Sequence, residues 1–97
     1  MIDLETRYQK DASIVSRQIG TETILVPIRR HVRDLESIYT LNDTAALAWS
    51  LFDGETSLAQ ICQRITQEYD VSPAQAQNDL LDLVTGLLQI HALVPLS

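Results

Sequence analysis

The 97-residue chain is poor in the residues from which catalytic and structural sites are most often built. Its single cysteine, Cys62, excludes an intramolecular disulfide. Its three glycines, Gly20, Gly54 and Gly86, stand apart from one another, so there is no glycine-rich loop to cradle a phosphate. One Trp, three Tyr and one Phe leave most of the core to Leu, Ile, Val and Ala. The two histidines, His31 and His91, are far apart, and neither has metal-ligand spacing to a second Cys, His or carboxylate cluster. No nucleophile–base pair is visible, so neither catalytic residues nor a metal or other cofactor is expected. No apolar run approaches the roughly 20 residues of a membrane helix. The opening MIDLETRYQKD is polar rather than an apolar stretch behind a basic start. A reducing cytoplasm is the expected location, with no membrane partner.

What is present is enough for one domain and one core. Hydrophobic residues make up 45% of the chain, which argues against disorder. The net charge of −6 is unevenly spread. Residues 1–33 hold six of the seven Lys/Arg against four acids, whereas residues 34–97 hold Arg64 alone against nine. The acidic C-terminal part repels phosphate backbones, and the basic N-terminal part favours an acidic partner.

The most informative stretch is Tyr39–Gly54, YTLNDTAALAWSLFDG. A short strand pattern ends at Leu41. Asn42 then caps a helix over Asp43–Phe52, since its side-chain oxygen can accept from an unpaired first-turn N–H. Asp43 sits at the positive end of the helix dipole, and Gly54 can take the left-handed backbone that ends a helix. Upstream, residues 1–12 lack periodicity and read as a loose arm. Ser13–Ile19 and Thr21–Ile28 are rich in Ile, Val and Thr and read as a hairpin turning at Gly20. After a charged connection, Ser37–Leu41 alternates as a third strand, with Ile38 and Thr40 on one side and Ser37, Tyr39 and Leu41 on the other.

Downstream, Thr56 or Ser57 caps a second helix whose Leu58, Ile61, Cys62, Ile65 and Tyr69 share one face. Ser72-Pro73 opens a third, expected to reach Ile90, with Ser as cap and Pro where its missing N–H costs nothing. Leu93–Leu96 reads as an extended tail packing on the domain. Strands followed by helices argue for an α+β fold: a three-stranded antiparallel sheet on a three-helix bundle, winged helix-turn-helix-like. The expected organisation is an arm at 1–12 and a single domain at 13–97.

Helix three carries more apolar surface than one core needs. Ala76, Leu80, Leu83, Leu87 and Ile90 form a stripe about 80° wide. Gln77, Leu81, Val84 and Leu88 form a second row beside it. That second row either packs within the domain or awaits a partner. Asn78, Asp79, Asp82 and Gln89 read as the polar back. Helices two and three, joined by a short turn, suit a helix-turn-helix. A recognition helix needs cations toward phosphates, however, and helix three has no Lys or Arg and carries Asp79 and Asp82. No nucleic-acid partner is expected.

With Tyr39–Gly54, the set Leu58, Ile61, Ile65 and Tyr69, and the pattern Asp79-Leu80, Leu83, Leu87 and Leu93-Val94 on the page, the chain from about Ser13 to Val94 resembles the PqqD family. This family is named for a small protein of pyrroloquinoline quinone biosynthesis. More broadly, the chain is similar to leader-recognition domains of ribosomally made, post-translationally modified peptides. The resemblance implies a non-catalytic adaptor that binds the leader of a precursor peptide. The leader would add as a strand to the edge of the third strand and fill the groove between that strand and helix three. The adaptor would present it to a separate modifying enzyme, a radical S-adenosylmethionine enzyme or, in lasso-peptide systems, a leader protease.

Strand addition takes affinity from main-chain hydrogen bonds and specificity from alternating pockets. The implied site is backbone from Ser37, Ile38, Tyr39, Thr40 and Leu41, with Gln77, Leu81, Val84 and Leu88 lining the groove. Arg29, Arg30 and Arg33 are either a solvated loop or a steering patch for an acidic leader. Quinone-pathway members carry a Leu-Ala-Pro-Glu-like segment before the first helix. This chain has Ser37–Asn42 there, which points to the wider family, lasso-peptide and radical-enzyme clusters included. The alternative is a winged-helix regulatory or protein-interaction module, which a salt-sensitive DNA affinity would reveal. An unpaired strand edge can also pair with itself, leaving a strand-exchanged dimer open.

Overall fold

The computed structural model describes residues 2–28 and 39–96. The elements are β1 (Arg7–Lys10), β2 (Ile14–Ile19), β3 (Glu22–Pro27), β4 (Tyr39–Leu41), α1 (Asp43–Ser50), β5 (Asp53–Ser57), α2 (Leu58–Glu68), α3 (Pro73–Gln89) and β6 (Leu93–Leu96). The fold is α+β, with three helices and a three-stranded antiparallel sheet ordered β2-β3-β4. The expected hairpin is there, paired from Ile14↔Pro27 to Ile19↔Glu22. Gly20 takes φ 62° at the first of two loop positions, the backbone a type II′ turn requires. β4 then adds to β3 through Thr23↔Leu41, Ile24↔Thr40 and Leu25↔Tyr39, and stands at the edge of the sheet.

A second three-stranded sheet, β5-β1-β6, corrects the expectation of a loose arm at residues 1–12. β1 is its central strand, and Tyr8 inserts into the core edge-on to Phe52, with ring centroids 6.3 Å apart. The arm is held by a need elsewhere. The first N–H groups of α2 have no partners inside the helix, and two of them donate to this segment: Leu58 N–H to the Thr6 carbonyl at 3.2 Å and Ala59 N–H to the Leu4 carbonyl at 2.9 Å. The extended tail is also a strand, β6, in register with β1 from Arg7↔Leu96 to Lys10↔Leu93.

All three helix caps form as expected. Asn42 Oδ1 accepts from Ala45 N–H at 2.8 Å. Ser57 and Gln60 make a reciprocal capping box. Ser72 Oγ accepts from Gln75 N–H at 3.1 Å, with Pro73 at the first helical position. The first helix is shorter than expected, ending at Ser50 rather than Phe52. Gly54 therefore does not terminate it. Gly54 takes φ 81° within β5, where the pairing with β1 is irregular (Arg7↔Ser57, Gln9↔Asp53), and an added Cβ would lie 3.0 Å from Leu96 Cδ1. The Asp53 carboxylate braces this irregularity by accepting from Glu55 N–H, Thr56 N–H and the Thr56 hydroxyl.

α3 ends on His91, at φ 57°. His91 N–H donates to the Leu88 carbonyl and Ala92 N–H to the Leu87 carbonyl, the paired bonds of a Schellman cap with histidine where glycine is usual. The core lies between the helices and the two sheets. Leu25, Leu41, Trp49, Phe52, Leu58, Ile61, Leu80 and Leu87 are all buried in it. Among the described residues, no helix is long and apolar enough to cross a membrane.

Candidate functional site

The sheet order leaves β4 with β3 on one side and no strand on the other among the described residues. Along that side runs an open groove of about 300 Å³. Tyr39 and Thr40 of β4 form one wall, continued by Asn42, Thr44 and Ala45 where α1 begins. Ala76, Asp79, Leu80, Asp82 and Leu83 of α3 form the other, and Ala48, Ile65 and Val71 complete it. Ala48, Ile65, Ala76, Leu80 and Leu83 are buried core residues, so the groove has an apolar floor, and Thr40, Asn42, Thr44, Asp79 and Asp82 make about half of its accessible surface polar. On the rim the Asp79 carboxylate accepts from Gln75 Nε2 at 2.8 Å, while among the described residues no Lys or Arg lines the groove.

One glycine shows how β4 and α3 come together. Gly86 lies inside α3, where glycine costs about 1 kcal/mol relative to alanine. A Cβ built there would lie 2.6 Å from Tyr39 Oη and 3.3 Å from Tyr39 Cε2 and Cζ. The Tyr39 ring therefore rests against bare helix backbone. A side chain at residue 86 would displace it.

The expected site residues distribute unevenly. Ser37, Ile38, Arg29, Arg30 and Arg33 lie outside the described residues. Tyr39 and Thr40 line the groove, while the Leu41 side chain is buried in the core. The α3 row expected to meet the peptide, Gln77, Leu81, Val84 and Leu88, is not among the residues lining this groove. Val84 is 0% exposed, Leu81 and Leu88 are half-buried against the core, and Gln77 is exposed on another face. The helix is turned so that Ala76, Asp79, Leu83 and Gly86, at i, i+3, i+7 and i+10, look toward β4. Asp79 and Asp82, read from the sequence as polar back, are rim residues. Gly86 was the available signal: an interior helix glycine marks a close approach, and the stripe running N-terminally from it passes through Leu83, Asp79 and Ala76.

Elsewhere the chemistry is sparse. The Cys62 thiol is partly buried, and burial raises its pKa above the ordinary value. Among the described residues no cluster of His, Cys, Asp and Glu could hold a metal ion.

Fold and groove together define a class: a small α+β domain whose edge strand is left open beside a helix. Residues 22–93 match the family model described as "Coenzyme PQQ synthesis protein D (PqqD)". The chain belongs to the PqqD family. It is 36% identical over 58 residues to the bifunctional coenzyme PQQ synthesis protein C/D of Methylorubrum extorquens, covering 60% of this chain and 16% of that protein. It is 35% identical over 54 residues to the PqqA binding protein of Xanthomonas campestris pv. campestris, covering 56% of this chain and 59% of that one. The matched segment thus spans less than two thirds of the length of either relative. Among solved structures, the chain resembles a lasso peptide synthetase B1 complexed with the leader peptide, at TM-score 0.74 and 28% identity over 92% of this chain and 99% of that one. It shares its fold with TbiB1 in complex with the TbiA(beta) leader peptide, at TM-score 0.70 and 22% identity over 88% and 93% of the two chains.

Proposed function

We propose that this protein is a non-catalytic adaptor that binds the leader of a ribosomally made precursor peptide and presents it to a separate modifying enzyme. The leader lies as an added strand along the free edge of β4, with alternate side chains entering the groove beside α3. The observation that carries the reading is the open groove itself: a strand edge with no partner among the described residues, beside an apolar floor with a polar rim, in a fold shared with a lasso peptide synthetase B1 complexed with the leader peptide. The names of the family relatives, PqqA binding protein among them, support a precursor peptide as ligand. The partner enzyme is a radical S-adenosylmethionine enzyme or a lasso-type leader protease, and the setting is the cytoplasm.

A winged-helix reading of α2 and α3 with the β2–β3 hairpin would support a regulator, but α3 carries acids and no Lys or Arg. A DNA-binding regulator is disfavoured on that ground. The test is a residue-by-residue NMR titration of the labelled protein with leader peptides from precursors encoded beside its gene. Saturable binding that shifts Tyr39–Leu41, Asp79 and Leu83 is the expected result. Saturable, salt-sensitive binding to duplex DNA without any peptide response would overturn it.

A further inference from the structure

The groove has a charge, and that charge chooses among peptides. Its floor is built on the buried apolar residues Ala48, Ile65, Leu80 and Leu83, about half of its accessible surface is polar, and its rim holds Asp79 and Asp82. Among the described residues no Lys or Arg lines it, α3 has none anywhere along its length, and the rim acids stand on the wall across from β4. Asp79 and Asp82 are i, i+3 neighbours, close enough for one cationic side chain to reach both. Asp79 keeps its second carboxylate oxygen beyond the bond from Gln75, and no described residue forms an ion pair with either acid.

Resting on the adaptor reading above, we infer that the peptide segment bound here carries a lysine or arginine next to an apolar residue, the apolar side chain entering the groove and the cation meeting Asp79 and Asp82. This is the opposite preference to the acidic leader that Arg29, Arg30 and Arg33 suggest from the sequence. The groove wall carries its charge at a fixed place beside the bound segment, so that charge sets the register of binding. Charges outside it act mainly on the rate of encounter. An acidic residue at that position would face two carboxylates with no cation among the described lining residues, and complementary charge across an interface is what excludes wrong partners.

The experiment uses the full chain and a displayed library of random peptides about 12 residues long, ample to span the groove at about 3.3 Å per residue. Selected peptides are resynthesised and mapped by NMR. The result expected is a set that shifts Tyr39, Thr40 and Leu83 and is enriched in Lys or Arg at one position beside an apolar residue. Replacing that peptide lysine by norleucine should weaken binding about three- to tenfold, and the loss should vanish in the Asp79→Asn, Asp82→Asn double variant and shrink with added salt. Both substitutions are at exposed positions, so the fold is checked by circular dichroism and the comparison is made on folded protein.

Peptides that map to the groove without a basic preference, or whose norleucine penalty persists in the double variant, would overturn this inference while leaving the adaptor reading intact. If no selected peptide maps to the groove, both fall.

Discussion

The seat of Tyr39 on Gly86 gives the most exacting test of how the groove is built. Replacing Gly86 with alanine adds one methyl group to the middle of α3. On helix propensity alone this should stabilise the protein by about 1 kcal/mol. The structure opposes that gain. The new Cβ would stand 2.6 Å from Tyr39 Oη and 3.3 Å from two ring carbons, so the ring must leave its seat. Overpacking of this kind costs about 1–3 kcal/mol. Because Tyr39 is half-buried on an edge strand and can swing outward, the cost falls toward the middle of that range. G86A is therefore expected to destabilise by about 1 kcal/mol, a drop of about 4–8 °C in Tm for a chain of this size. In a Y39A background the obstacle is gone, and the same change should stabilise by about 1 kcal/mol. In Y39F, which keeps the ring but lacks the hydroxyl, the effect should fall between the two. Urea denaturation of the four proteins in the Gly86/Tyr39 cycle gives the coupling directly, expected at about 2 kcal/mol. If G86A stabilises equally in both backgrounds, Tyr39 does not rest on Gly86, and the account of the groove wall is wrong.

Other elements can be tested more briefly. Tyr8→Ala should destabilise by about 3–5 kcal/mol, because it empties a core site and not a loose arm; thermal unfolding measures it, and a loss under 1 kcal/mol would return residues 1–12 to the arm reading. Ser57→Ala removes the α2 cap and should cost about 1 kcal/mol, with Gln60→Ala costing less because only its half of the capping box is lost. The Asp53 carboxyl is held below its ordinary value of 3.8, first by the Glu55 N–H and then by the Thr56 N–H. A depressed folded pKa gives stability that is present above the unfolded pKa and lost as pH falls through the folded one. Wild type should therefore lose stability relative to Asp53→Asn as the pH drops below about 4, while the difference between them stays flat from there to neutrality. Parallel curves across that acid range would show that the Asp53 charge does not brace β5.

What could be read from the sequence divides along the range of the interactions involved. Asn42, Ser57 and Ser72-Pro73 act within three residues of themselves, and each caps the helix expected of it. The β2–β3 hairpin and the strand at Tyr39–Leu41 also follow from local pattern. The β5-β1-β6 sheet does not, because β1 has one apolar residue, Tyr8, and its partners are more than 40 residues away. Asp53-Gly54 reads locally as a helix stop, yet its positive backbone angle serves a strand irregularity set by β1. Of the residues expected at the peptide site, Tyr39 and Thr40 line the groove described above and the α3 row Gln77, Leu81, Val84 and Leu88 does not. Two apolar rows on one helix look alike in sequence, and which one meets the sheet depends on where Tyr39 finds room. Gly86 records that choice.

An open strand edge invites a second copy as readily as a peptide, and charge separates the two. If two copies met edge to edge at this groove, each would bring Asp79 and Asp82 toward the other, on chains that each carry a net charge of −6. That repulsion opposes the dimer, and added salt relieves it. A cation-bearing peptide meets the same acids with attraction, which added salt weakens. The two associations should therefore answer salt with opposite signs. Raising ionic strength from about 0.05 to 0.5 M, across which the Debye length falls from above 10 Å to below 8 Å, should loosen peptide binding by NMR and, if it changes the sedimentation of the free protein at all, shift it toward dimer. A dimer that instead dissociates in high salt would not be held at the β4 edge.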